Sequence, residues 1–249
     1  MRIGEYEVLE RVGEGATGIV YRAEGDVAVK VLRNTDPVVA KRFVREARLA
    51  AAIESRHLVR ILDVGEGFFV MPYYARGSLA AAVPLPVPEL VQIAAEIAQA
   101  LDALHAAGIV HRDVKPSNVL LGDDGAVLAD FGLARGVDST QLTQDGQLLG
   151  TAQYLAPELI QGADATPASD VYAFGCLLYE AATGAPPFAG RSEGEIGYAH
   201  LVEDPARPDL PGELPDAILL GLAKDPCDRP TSATALHRML RAASRPSPA

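Results

Sequence analysis

Asp113 and Asp130 are the two acids around which this 249-residue chain gathers its reactive groups. The first lies in His111-Arg112-Asp113-Val114-Lys115-Pro116-Ser117-Asn118. The second opens Asp130-Phe131-Gly132, beyond a turn at Gly122-Asp123-Asp124-Gly125. A positioned carboxylate can orient a hydroxyl and accept its proton. A second carboxylate with the Asn118 amide makes a hard-oxygen set suited to Mg²⁺, and Lys115 can reach a transferring phosphate. A His-Arg-Asp triplet alone arises by chance, but the lysine, the asparagine and the Asp-Phe-Gly at these spacings form a far more specific pattern. Together these residue types suit phosphoryl transfer, which asks for positioning and charge neutralisation more than covalent work.

Several elements must hold these groups. Ile109-Val110, Val119-Leu120-Leu121 and Val127-Leu128-Ala129 read as short strands around the two acids. Tyr6 to Val12 alternates as a strand and enters Gly13-Glu14-Gly15-Ala16-Thr17-Gly18-Ile19-Val20. A dinucleotide-binding loop uses similar glycine spacing but opens a helix, whereas this one returns into the strand-like Val20-Tyr21-Arg22-Ala23. Val27-Ala28-Val29-Lys30 ends an apolar strand in a lysine, which is costly to bury unpaired. Its expected anionic partner is Glu46, within a segment over 36–53 that reads as a helix. Leu58 to Val64 and Phe68 to Met71 read as two further strands. After the bridge from Ala80 to Pro88, Leu90, Ile93, Ile97, Leu101 and Leu104 fall on one helical stripe that Gly108 closes. Ser169-Asp170 caps a run from Val171 to Glu180 that is apolar nearly all round and belongs in a core.

In this order the motifs resemble those of protein kinases, and the chain is identified as a bacterial member of the eukaryotic-like (Hanks-type) Ser/Thr protein kinases. The resemblance covers about residues 6 to 241. It implies an α+β, two-lobed fold: a small β-rich N-lobe with one main helix over 1–71, a hinge over 72–79, a larger, mostly helical C-lobe over 80–243 and a disordered tail over 244–249. It implies catalytic roles for Asp113, Lys115, Lys30 and Glu46, with Asn118 and Asp130 as metal ligands. Nucleotide contacts are expected from Gly13, Gly15, Gly18, Val20, Ala28, Lys30, Met71, Pro72 and Tyr74. Pro72 would offer adenine its carbonyl and Tyr74 its N–H. ATP and Mg²⁺ are the implied cofactors, with Mn²⁺ as a substitute metal. Arg112, Thr143 and Thr151 take regulatory places: Thr143 is the expected autophosphorylation site, and Arg112 is a cation ready for its phosphate. Asp170 is expected to tie its helix to the catalytic loop backbone, and Arg229 to pair with Glu158. The implied partners are protein substrates with Ser or Thr acceptors, and a transient homodimer for autophosphorylation. Two features depart from the family pattern. The connection Ala23-Glu24-Gly25-Asp26 is short, and Ser55-Arg56 stands where His-Pro is frequent.

Composition narrows the alternatives. A hydrophobic content of 49% with 22% charged residues suits a globular chain with a core. The formal charge of −11 and the absence of a basic cluster argue against nucleic-acid binding. Cys176 and Cys227 form no CxxC pair, no apolar run approaches the ~20 residues of a membrane span, and the N-terminus lacks the apolar region of a signal peptide. A cytoplasmic location is therefore expected. Two other readings compete: a nucleotide-holding module that transfers nothing, which usually lacks one of Lys30, Asp113 and Asp130, and a dinucleotide-binding oxidoreductase.

Overall fold

The computed structural model describes residues 1–15, 18–33, 44, 52–130 and 152–245. Its first half is one antiparallel sheet built from β1 (Arg2–Ile3), β2 (Tyr6–Glu14), β3 (Gly18–Ala23), β4 (Val27–Leu32), β5 (Asp63–Gly65) and β6 (Phe68–Pro72). The order across the sheet is β1-β2-β3-β4-β6-β5. Strand alternation sorts the side chains into two faces. Ala23, Val29 and Val70 pack on the outer face with Ile3, Tyr6 and Phe68. Ala28, opposite Met71, and Lys30, opposite both Val20 and Phe69, share the inner face, where Ala28, Phe69 and Met71 join the main core. The alternation of β4 thus delivers one ammonium to an otherwise apolar surface.

The second half is helical: α1 (Val87–Ala106), α2 (Pro157–Ile160), α3 (Pro167–Thr183), α4 (Glu193–Val202), α5 (Leu214–Gly221) and α6 (Ala233–Ala243), with a hairpin of β7 (Val119–Gly122) and β8 (Gly125–Leu128) between α1 and α2. This mixture of a small antiparallel sheet and a larger helical part is the α+β, two-lobed architecture expected from the sequence. The whole predicted stripe of α1 is buried, and so is nearly every residue of α3 up to Tyr179. Asp102 of α1 accepts the N–H groups of Ala233 and Thr234, which caps α6. Among the described residues no helix is long and apolar enough to cross a membrane.

Three local expectations are revised, and a fourth lies outside the described residues. Leu58 to Val64 is not one strand: only its end pairs with β6, through Leu62 N–H to Val70 O (2.7 Å) and through Asp63–Gly65. Leu58 and Val59 turn instead to the other half, where Val59 N–H donates to Leu128 O (2.9 Å) and Leu128 N–H to His57 O (2.8 Å). Ile109-Val110 is no strand either, because Ile109 N–H closes the end of α1 on Leu104 O. Helix α3 starts at Pro167, earlier than the Ser169-Asp170 cap predicts. Thr166 is its N-cap, and Ser169 Oγ accepts from Thr166 N–H at 3.2 Å. The expected helix over 36–53 lies outside the described residues apart from Val44, which packs on the core, and the bend at 52–53.

Candidate active site

The loop after α1 is held by its own side chains. Lys115 Nζ lies 3.0 and 2.9 Å from the two carboxylate oxygens of Asp113. Asn118 Nδ2 donates to Asp113 Oδ2 (2.9 Å) and to the Asp113 carbonyl (2.8 Å), so its carbonyl oxygen is left to face elsewhere. His111 is fully buried, and that burial pulls its basicity below the ordinary value. It is therefore neutral, as its contacts require: Nδ1 accepts from Asp113 N–H (3.2 Å) while Nε2–H donates to Ala129 O (3.0 Å). One imidazole thereby links the residue beside Asp130 to Asp113 itself.

Asp130 meets the sheet. Its carboxylate lies 2.5 Å from Lys30 Nζ, and its backbone sits at φ 61°, a left-handed conformation uncommon for a side-chain-bearing residue. Ala129 N–H, donated to Asn118 O at 2.8 Å, fixes the step before it. The expected partner of Lys30 was Glu46, which lies outside the described residues; the anion found against it is Asp130. Among the described residues no three His, Cys, Asp or Glu gather into a metal cage. Mg²⁺ needs only one or two carboxylates beside phosphate oxygens, so an Asp130 carboxylate and an Asn118 carbonyl oxygen fit it.

The glycine loop is the β2–β3 hairpin, with Gly13 opposite Val20 and Gly15 N–H donated to Gly18 O (2.9 Å). The returning strand removes the dinucleotide-loop reading. A Cβ on Gly18 would fall 2.2 Å from Val31 O, so only glycine lets β3 lie this close to β4; at Gly15 a Cβ would meet none of the described residues within 4 Å. That open side suits the approach of a triphosphate to backbone N–H groups. At the far end of β6, Tyr73 N–H is spent on Asp26 O (2.9 Å), which leaves Tyr74 to supply the next amide after Pro72, while Met71 is buried behind them.

Beneath the loop, Asp170 of α3 accepts His111 N–H (2.7 Å) and Arg112 N–H (2.9 Å), as expected. Arg112 sits at φ 66°, so this carboxylate secures a strained turn one residue before Asp113. Sequence reading missed the third group on Asp170, His105 Nε2 at 2.7 Å. It also missed Glu96, whose carboxylate accepts Ala126 N–H (2.7 Å) at the root of β8, and Tyr154, whose hydroxyl donates to Glu180 at 2.6 Å. Only the helical register of His105 and Glu96, a polar residue on the buried side of α1, could have hinted at the first two. The Glu158–Arg229 pair is formed as expected, bidentate at 2.8 and 2.7 Å. Burial pushes the Glu158 carboxyl up, but the guanidinium and Ser169 outweigh it and hold the group below its usual range. Phe131, Gly132, Thr143 and Thr151 lie outside the described residues. Arg112, Asp113, Val114, Tyr154, Leu155 and Leu159 line a hollow beside Asp113.

Comparison with known proteins identifies the family. Serine/threonine-protein kinase PknB of Mycobacterium leprae is 40% identical over 251 residues, which cover 90% of this chain and 40% of PknB. PknE of Mycobacterium tuberculosis is 40% identical over 250 residues, covering 92% of this chain and 44% of PknE. The chain thus spans less than half the length of these curated relatives. A crystal structure of the Mycobacterium tuberculosis PknI kinase domain superposes with a TM-score of 0.71 at 28% identity, covering 96% of either chain. The family model described as "Protein kinase domain" matches residues 6–240. With nearly its whole length inside that match, the chain belongs to the protein kinase domain family.

Proposed function

We propose that this chain is a Ser/Thr protein kinase that transfers the γ-phosphoryl group of ATP to Ser or Thr hydroxyls of proteins. The observation that carries this reading is the convergence of Asp113, Lys115 and Asn118 on one loop that His111 and Ala129 couple to Asp130 and Lys30. Asp113 orients the acceptor hydroxyl and takes its proton, while Lys115, held beside it, neutralises the transferring phosphate. Lys30 and the glycine-loop amides hold the phosphates, and the hinge after Met71 holds adenine through Pro72 O and Tyr74 N–H. Mg²⁺, or Mn²⁺ in its place, bound by Asn118 and Asp130 supplies further charge neutralisation.

The same reading divides the chain into an N-lobe over 1–71, a hinge over 72–79 and a C-lobe over 80–243. It assigns Glu46 to clamp Lys30, Thr143 to autophosphorylation within a transient homodimer, Thr151 to the substrate side of Asp113, and the cytoplasm as the site of action. The names of PknB and PknE support Ser/Thr over Tyr specificity.

The test is incubation of the purified chain with radiolabelled ATP, Mg²⁺ and dephosphorylated casein, followed by acid hydrolysis of the product. Label is expected on phosphoserine and phosphothreonine, and Asp113→Asn should lose about 10²–10⁴-fold in rate. Equal labelling by both proteins, or by neither, removes the enzyme reading and leaves a nucleotide-holding module.

A further inference from the structure

His200 lies on α4 and has no part in the site described so far, and its side chain is fully buried. Phe188 and Tyr172 both pack against its ring edge-to-face, at 4.9 and 5.6 Å between centroids. Its Nδ1 is 2.7 Å from the Tyr172 hydroxyl, whereas its Nε2 is buried and completes no hydrogen bond among the described residues. A buried polar atom left in that state is unfavourable, and native structures keep few of them.

The protonation of the ring follows from its surroundings. Burial, aided by the nearby Lys224 charge, pushes its pKa down to about 4, so the imidazole is neutral. The Tyr172 hydroxyl keeps its proton, because burial pushes its pKa up. Tyr172 therefore donates to Nδ1, and the ring's own proton sits on Nε2. Helix α4 packs against the turn that carries Gln153, and the backbone there raises the ring's basicity, as an acceptor does. Gln153 belongs to the turn Ala152–Tyr154, and Tyr154 and Leu155 wall the hollow beside Asp113.

We propose that His200 is a positioning residue for the protein substrate: anchored on Tyr172, it offers Nε2–H to the Gln153 carbonyl and sets the turn that borders the acceptor's approach to Asp113. The bond closes when a substrate presses the turn home, so that part of the binding free energy depends on this donor. This rests on the kinase reading for its substrate, but the tether between α4 and the turn stands apart from catalysis.

Three forms of the full chain test it: wild type, His200→Phe, which keeps a ring and loses both nitrogens, and His200→Gln, whose amide nitrogen can take the place of Nε2. Steady-state kinetics on dephosphorylated casein are paired with hydrogen exchange at the amides of residues 152–155. His200→Phe should raise KM for casein about fivefold, the worth of one hydrogen bond, with kcat and KM for ATP within about twofold. Exchange at 152–155 should quicken, and His200→Gln should restore most of both effects. An unchanged KM with unchanged exchange overturns the proposal. So does a parallel fall in kcat, both KM values and Tm, which marks a purely structural residue. A wild type that labels no casein defeats the kinase reading and the substrate half of this proposal. Exchange at 152–155 then still decides the tether, which fails if His200→Phe leaves it unaltered.

Discussion

Two buried cations among the described residues face a carboxylate, and they are built in opposite ways. Arg229 is saturated. Its fork binds both oxygens of Glu158, its remaining N–H groups reach the carbonyls of Ala168, Ala223 and Lys224, and its plane lies 4.8 Å over Tyr172. Lys30 has a single anionic partner among the described residues, Asp130. That partner stands on left-handed backbone with 29% of its side chain open to solvent, against 13% for Glu158. A desolvated charge whose every donor is answered fixes a fold, because nothing further can bind to it. A desolvated charge with one anionic partner among the described residues, that partner at the edge of solvent on left-handed backbone, suits a ligand.

Substitutions can break this contrast. The largest effect should come from Asp130→Asn, which is expected to cut phosphoryl transfer by at least about 10³-fold. Its Tm should move by no more than about 3 °C, since asparagine suits left-handed backbone well and its amide oxygen can still face the ammonium. Radiolabel transfer and calorimetry measure the two halves; a large fall in Tm would erase the distinction. Arg229→Ala should do the reverse. Losing one member of a desolvated pair costs about 3–5 kcal/mol, or a drop of about 10 °C in Tm for a chain of this size.

Acid sharpens the picture. The Glu158 carboxyl titrates below the ordinary glutamate value of 4.5 in the folded chain. Its contribution is therefore complete above that pH and is lost as pH falls through the folded value. The difference in Tm between wild type and Glu158→Gln should accordingly be constant near neutrality and shrink as pH falls below about 4.5. The smallest effect belongs to Tyr154→Phe. It removes one 2.6 Å hydrogen bond to Glu180, whose carboxyl burial already pushes up, and should cost about 1–2 kcal/mol in chemical denaturation.

The catalytic loop was legible because its chemistry needs fixed spacings along the chain. Asp113, Lys115 and Asn118 sit on one short loop, and no other segment has to be known to group them. The α1 stripe was legible for the same reason, through helical period. Asp170 and the Glu158–Arg229 pair were found through the kinase resemblance, since nothing local in the sequence couples residues so far apart. What escaped were contacts with neither local period nor motif. Lys30 demanded an anion, but sequence offers many acids and the inner face of β4 chooses among them. Tyr154 and Glu180 carry no mark of each other. The stretch from Leu58 to Val64 reads as one strand by its branched apolar residues, and only packing decides that its first part bonds to Leu128 and its last to β6.

That divided stretch also sets how the molecule can flex. Leu58 and Leu128 form an isolated parallel bridge, flanked by the bonds of His57 and Val59 to Leu128, and His57 Nδ1 makes a further bond of 3.0 Å to Ala126 O. The sheet is therefore pinned to the helical half close to β5, at its edge, with β6, β4, β3 and β2 following outward. A body hinged at one margin swings least there and most at its far side. Rocking of the sheet would leave Leu128 almost still, carry Lys30 through a moderate arc over Asp130, and give the β2–β3 glycine loop a longer sweep.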